Sequence, residues 1–275
     1  VTVRDAARRV AGALTAGWPP YSRLFLVGEG AGWSIDHDLQ EVAKLAHELD
    51  IGLVRRWPPG AARRQSVFYG SHFTYFDRPP AAQAGHRIAI TYFHGRPGTP
   101  GAPEFDAAYE RLRQQHAQID RVQVSHGELA TLVFSSGIDP AKVFLIPIGV
   151  EPRWFQTPAP DARSALGLPE SAFVVGSFQK DGVGWDDGLE PKLIKGPDVL
   201  VEVLARLHRR VPELHVLLSG PARGYVRTRL DELGIPYVHR FVERYPDLGG
   251  LYAALDAYVV TSRQEGGPKG VLEAM

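Results

Sequence analysis

The chain has no cysteine among its 275 residues, which excludes disulfides and thiolate metal centres. Its single methionine is Met275. It also lacks any apolar run of the roughly 20 residues that a membrane-spanning helix needs. Neither sign of charge dominates. Thirty-one basic and 31 acidic residues leave a formal net charge of zero, which argues against a nucleic-acid binder acting through bulk charge. Lysine is scarce: the cations are mostly arginine, and Lys44, Lys142, Lys180, Lys192, Lys195 and Lys269 complete the set. No repeat of solenoid type is present.

What remains is a chain with 44% hydrophobic residues, enough for one large or two ordinary domains. Strand-like and helix-like segments alternate throughout, which predicts parallel sheets with sites at the carboxyl ends of strands. Leu24–Val27 reads as a buried strand. The loop Gly28-Glu29-Gly30-Ala31-Gly32 follows it, and then a helix capped by Ser34 with Leu39, Val42, Ala43, Ala46 and Leu49 on one face. Trp33 stands where a dinucleotide fingerprint needs its third glycine, so the NAD reading fails. The loop then serves a ligand or is simply a tight turn that needs small residues.

Asp36-His37-Asp38 has the look of a metal-holding D-x-D. It falls in the first turn of that helix, where acids complement the helix dipole, and that reading is preferred. Strands are further expected at 51–54, 66–69, 87–93, 121–124 and 143–146. Ser71–Phe76, at the end of the second of these, contacts an acceptor or packs as a loop. His94 closes the 87–93 strand before Gly95-Arg96-Pro97.

A Pro-bearing stretch, Thr157-Pro158-Ala159-Pro160, reads as a linker. It divides a domain at 1–151 from one at 152–275. Beyond it, strands are expected at 173–178, 214–218 and 237–238. Lys195-Gly196-Pro197 opens a helix with Val199, Leu200, Val203, Leu204 and Leu207 on one face. A lysine beside a helix started by proline suits a diphosphate.

The last stretch organises the rest. Asp256–Val260 reads as a buried strand, followed by Thr261-Ser262-Arg263-Gln264-Glu265-Gly266-Gly267-Pro268-Lys269-Gly270-Val271-Leu272-Glu273-Ala274-Met275. Pro268 suits the first position of a helix, so free N–H groups lie just beyond a strand end. Glu265 and Glu273 have seven residues between them, and a carboxylate there can accept two hydrogen bonds from neighbouring sugar hydroxyls. Alternatively, these are two solvated acids around a helix N-terminus.

This stretch resembles the E-x7-E signature of retaining glycosyltransferases of the GT-B fold, family four, with Gly267-Pro268 where many members carry Phe-Gly. "Val-Ser-His…Gly-Ile-Asp…Ile-Pro-x-Gly-Val-Glu" resembles the end of that family's first domain. The resemblance implies an α/β architecture of two Rossmann-like parallel-sheet domains facing a cleft, the first on the acceptor side and the second holding the nucleotide sugar. It implies a retaining hexosyl transfer from a nucleoside-diphosphate sugar, which is a co-substrate rather than a cofactor, with no metal.

Catalytic roles then fall to His94 and to Glu265, which would position the sugar. Donor binding falls to Gly30, Lys180, Lys195, Gly266, Gly267, Lys269 and Glu273, the last on the ribose. Lys180 stands in for an arginine that the family carries after the first strand of its second domain. The acceptor would be a hydroxyl of a sugar, lipid or small molecule, and the setting bacterial and cytoplasmic or peripheral at the inner face of the membrane. A GT-B hydrolase or epimerase, and a non-catalytic nucleotide-sugar-binding fragment, are the alternatives. The chain stops inside a helix, so the second domain is expected to be incomplete, with an exposed sheet edge that invites self-association.

Overall fold

The computed structural model describes residues 19–32, 34–55, 58–155 and 160–275. The short helix expected before Pro20, Trp33, and most of the expected linker at 157–160 lie outside the described residues. The chain divides into two compact units, Val1–Pro147 and Ile148–Met275.

Unit 1 alternates strand and helix. Its elements are β1 (Arg23–Val27), α1 (Ser34–Glu48), β2 (Leu53–Arg55), β3 (Ser66–Tyr69), α2 (His72–Asp77), β4 (Arg87–Tyr92), α3 (Pro103–Gln115), β5 (Arg121–Val124), α4 (Gly127–Phe134) and β6 (Val143–Leu145). All pairings are parallel, in the order β2-β1-β3-β4-β5-β6. Chain order therefore reverses between β1 and β3, and a crevice belongs outside their carboxyl ends. Ile88, Ile90 and Tyr92 alternate inward along β4 and meet Val122, Val124, Leu112 and Val133 in the core.

Two details differ from the sequence reading. On α1, Leu39 and Ala46 are buried, but Leu49, expected on the same face, is 68% exposed at the end of the helix. Ser71–Phe76 is no loop, because residues from His72 onward form α2. His72, Tyr75 and Phe76 are buried there, and packing of aromatic rings fixes a helix too short to show its own period.

Unit 2 contains α5 (Ala162–Ala165), β7 (Phe173–Phe178), α6 (Pro197–His208), β8 (Leu214–Ser219), α7 (Gly224–Glu232), β9 (Tyr237–His239), α8 (Leu248–Tyr252), β10 (Ala257–Tyr258) and α9 (Lys269–Ala274). The sheet is again parallel, in the order β10-β7-β8-β9. Its reversal lies between β7 and β10. Pro197 opens α6, and Leu200, Val201 and Leu204 are buried against Val216 and Val226. Each such side chain stabilises the unit by about 1.5–3 kcal/mol. Val203, expected inward, is 40% exposed. Pro268 stands just before α9, which begins at Lys269. Among the described residues, no helix is long and apolar enough to cross a membrane.

Candidate functional site

The site of unit 2 grows from the reversal between β7 and β10. Three segments meet beyond those strand ends: Gln179 after β7, the turn Leu193–Gly196 before α6, and Thr261–Gly267 after β10. Gly196 has φ +63°, and a Cβ there would stand 2.0 Å from the Thr261 carbonyl oxygen, so only glycine lets the two loops touch. Thr261 Oγ1 donates to the Gly196 carbonyl at 2.8 Å, and the Arg263 N–H donates to the Ile194 carbonyl at 2.8 Å. Gln179 bridges both loops, donating to the Lys195 carbonyl at 3.1 Å and accepting from Ser262 Oγ at 3.4 Å. The Arg263 guanidinium grips the Asp198 carboxylate with two bonds, at 2.8 and 2.7 Å. Those bonds hold the Asp198 carboxyl below its ordinary range.

This framework brings two expected residues together. Lys195 Nζ lies 2.7 Å from Glu265 Oε1, and the two side chains are only 24% and 21% exposed. Gly266 is buried next to Glu265, and Gly267 has φ +107°. Lys180 follows Gln179 directly, and its Nζ lies 4.7 Å from the centre of the Trp185 ring. Desolvation, aided by Lys192, pushes its pKa down.

Glu273 is 6% exposed. Its Oε1 accepts from the Tyr245 hydroxyl, and its Oε2 accepts from the Tyr252 hydroxyl at 2.7 Å. Burial pushes the Tyr252 and Tyr258 phenols up, so both stay protonated. Lys269 Nζ stands 5.2 Å from the centre of the Tyr245 ring, so one tyrosine faces both the acid and the lysine of α9.

Sequence reasoning missed an arginine. Arg223, just before α7, is 1% exposed and donates through Nη1 to the carbonyls of Ser177 (2.6 Å), Gln179 (2.9 Å) and Ser219 (2.9 Å). It ties the ends of β7 and β8 together. Its Nε lies 3.1 Å from Oδ1 of the fully buried Asp181, although the alignment is not that of a hydrogen bond. Desolvation outweighs the attraction of Arg223 and pushes the Asp181 carboxyl up to about 6. Nothing local in the sequence marked Arg223, because the strand end it serves lies far back in the chain.

In unit 1, His94 follows β4 and is half-buried among aromatic rings, with centroids of Phe93 at 4.4 Å and Phe105 at 5.2 Å. The Gly-rich loop after β1 is held from within. Gly30, Ala31 and Gly32 donate their N–H groups to the Asp36 carboxylate at 3.1, 2.8 and 2.8 Å. A Cβ at Gly28 would stand 2.1 Å from Asp36 Oδ1, so the strand end must be glycine for the helix to seat there. Asp36 thus serves as a loop clamp.

Glu29 was read only as part of the loop. It is exposed, whereas Ser71, after β3, is fully buried and its hydroxyl has no hydrogen-bond partner among the described residues. Desolvation pushes the Glu29 carboxyl up, and the Asp36 charge adds to the rise. His72, next in the chain, is fully buried and stacks on Tyr92 with centroids 4.1 Å apart. Burial drives its pKa down to about 3, so it is neutral.

Residues 189–275 match the family model described as "Glycosyl transferases group 1". The chain is 33% identical over 153 residues to a D-inositol 3-phosphate glycosyltransferase of Stackebrandtia nassauensis, covering 50% of this chain and 32% of that protein. It is 32% identical over 193 residues to a D-inositol 3-phosphate glycosyltransferase of Salinispora arenicola, covering 62% of this chain and 41% of that one. The chain thus spans well under half the length of these curated relatives. Among solved structures, it is similar to Anabaena Alr3699/HepE in complex with UDP and glucose, with a TM-score of 0.64 and 16% identity over 92% of this chain and 78% of that one. It is also similar to sucrose-phosphate synthase from Thermosynechococcus elongatus, with a TM-score of 0.58 and 16% identity over 100% and 73%. These likenesses show the fold, the GT-B arrangement of parallel α/β sheets.

Proposed function

We propose that this chain, whose residues 189–275 carry the group 1 glycosyl transferase sequence, takes part in moving a sugar from a nucleoside-diphosphate donor to a hydroxyl acceptor with retention at the anomeric carbon. The observation that carries the reading is the Lys195–Glu265 pair at the reversal between β7 and β10. A half-buried cation beside a loop-to-helix turn offers charge to a diphosphate, and the adjacent carboxylate offers acceptors to sugar hydroxyls. The structure of Alr3699/HepE with UDP and glucose, and the curated relatives' transferase names, support a nucleotide-sugar partner for unit 2.

On this reading Lys195 neutralises charge that grows on the departing diphosphate, which is where an electrostatic site gains most. Glu265 orients the sugar. Lys269, Gly266 and Gly267 border the same turn, and Glu273 anchors α9 through Tyr245 and Tyr252 beside the ribose. His94, in unit 1, contacts the sugar near the reacting carbon. Lys180 leaves Trp185 to reach a phosphate. No divalent ion takes part, and the reaction proceeds on the cytoplasmic side.

The test is transfer itself. Purified protein is incubated with a panel of nucleotide sugars and hydroxyl acceptors, and the anomeric configuration of the product is read by NMR. A new glycoside of inverted configuration would overturn retention. Free sugar formed at the same rate with and without acceptor would point to a hydrolase.

A further inference from the structure

β4 ends at Tyr92, which is fully buried, and the chain then turns through Phe93-His94-Gly95-Arg96. Alternation along the strand sends the Tyr92 ring into the core. A buried phenol needs a hydrogen-bond partner. The Tyr92 hydroxyl finds one in the Gly95 carbonyl, to which it donates at 2.9 Å. The last side chain of the strand thus closes the turn that carries His94. Gly95 is buried with φ +112°, and a Cβ there would stand 3.2 Å from the Phe105 ring. Positive φ favours glycine, and Phe105 fills the space a side chain would take. The same Phe105 ring meets the His94 ring edge to face. His72 stacks on Tyr92 with centroids 4.1 Å apart and fixes the phenol in turn. The turn is also held further on, where Thr99 Oγ1 donates to the Arg96 carbonyl at 2.6 Å and the Gly98 N–H donates to Asp106 at 3.0 Å.

Resting on the glycosyltransferase reading above, we propose that Tyr92 is a positioning residue for the transfer: its hydroxyl, acting through the Gly95 carbonyl, sets where the His94 imidazole stands against the donor sugar. Tyr92 is 0% exposed and touches no substrate itself. Its leverage is geometric, because a shift of about 1 Å in a reacting geometry, made from a residue away from the chemistry, can cost about a hundredfold in rate.

The test compares Tyr92→Phe with Tyr69→Phe. Tyr69 is an equally buried tyrosine on the neighbouring β3, and its hydroxyl donates to the Arg78 carbonyl at 3.2 Å rather than to the His94 turn. Each variant loses one core hydroxyl, so general loosening of unit 1 would appear in both. The first readout is the NMR resonance of the His94 ring, assigned by its loss in His94→Ala and shifted by the Phe93 and Phe105 ring currents. The second is transfer kinetics with the donor and acceptor that the panel above identifies. Tyr92→Phe should move the resonance and lower kcat by about ten- to a hundredfold. Its UDP affinity should stay within about twofold of wild type, because UDP carries no sugar to reach His94. Tyr69→Phe should do neither. In a His94→Ala background, Tyr92→Phe should cost nothing further in kcat, as two residues acting through one group are not additive. If Tyr92→Phe does not fold, Gly95→Ala strains the same turn and should move the resonance and kcat likewise. An unmoved His94 resonance would overturn the proposal, as would an equal further loss in the His94→Ala background. A wild type that binds UDP yet moves no sugar would overturn the transfer reading, and the resonance would still decide whether Tyr92 sets His94.

Discussion

Lys195 Nζ and Glu265 Oε1 stand 2.7 Å apart, so the residue expected to meet a phosphate is already paired with the residue expected to meet the sugar. Any diphosphate that engages Lys195 competes with Glu265 for it. On the proposed reading, the carboxylate would then be free to turn to the sugar. The arrangement makes the two residues separable by mutation.

Lys195→Met should weaken UDP binding by about ten- to a hundredfold, the equivalent of one charge-assisted hydrogen bond of about 1.5–3 kcal/mol. Glu265→Gln should leave UDP binding unchanged or tighter, because the competitor is gone, while transfer falls by at least tenfold. Calorimetric titration of UDP and initial rates separate the two effects. Equal losses of UDP affinity in both variants would refute the competition.

Glu273 touches two tyrosine hydroxyls in a buried setting, so its removal acts on stability as well as on ligand. Glu273→Ala strands the buried Tyr252 hydroxyl, at a cost of about 1–3 kcal/mol, and removes the acceptor of the half-buried Tyr245. The Tyr245→Phe/Tyr252→Phe double variant removes both donors cleanly and should perturb less than stranding them. Unfolding midpoints in urea compare the two. An alanine variant as stable as wild type would show that the tyrosine pair does not hold α9.

The proposed transfer should persist within about twofold in excess EDTA, since Asp36 gives both of its oxygens to loop N–H groups and phosphate charge is met by Lys195. Activity abolished by EDTA and restored by a divalent ion would refute this.

The alternation of strands and helices was legible because parallel strands buried on both faces read as short apolar runs and the helices show their period. The turn carrying Lys195, Gly196 and Pro197 was legible for the same local reason. Partners supplied from far along the chain were not. Arg223 serves the end of β7 from beyond β8, and no spacing rule connects Gln179 to position 223. Tyr245 and Tyr252, seven residues apart, both donate to Glu273, a convergence that only the fold shows.

The buried Asp181–Arg223 pair sets a pH dependence opposite to that of most paired carboxylates. Burial lifts the Asp181 carboxyl from its ordinary value near 3.8 to about 6 despite the guanidinium 3.1 Å away. Between those values the folded chain therefore holds more protons than the unfolded one. Stability from this group then falls as pH rises through that window, and the cost is fully present above about pH 6. Asp181→Asn mimics the protonated acid and lacks the titration. It should match wild type near pH 4 and exceed it at pH 7.5 by roughly 1–3 kcal/mol, one pKa unit being about 1.4 kcal/mol. Taking the difference between the two proteins cancels the other carboxylates. It also cancels His239, whose pKa is lowered chiefly by burial and which titrates identically in both. Urea unfolding of both proteins at several pH values from 4 to 7.5 gives the curve. A variant several kcal/mol less stable than wild type at pH 7.5 would mean that the attraction between Arg223 and the ionised carboxylate outweighs desolvation, reversing the sign argued here.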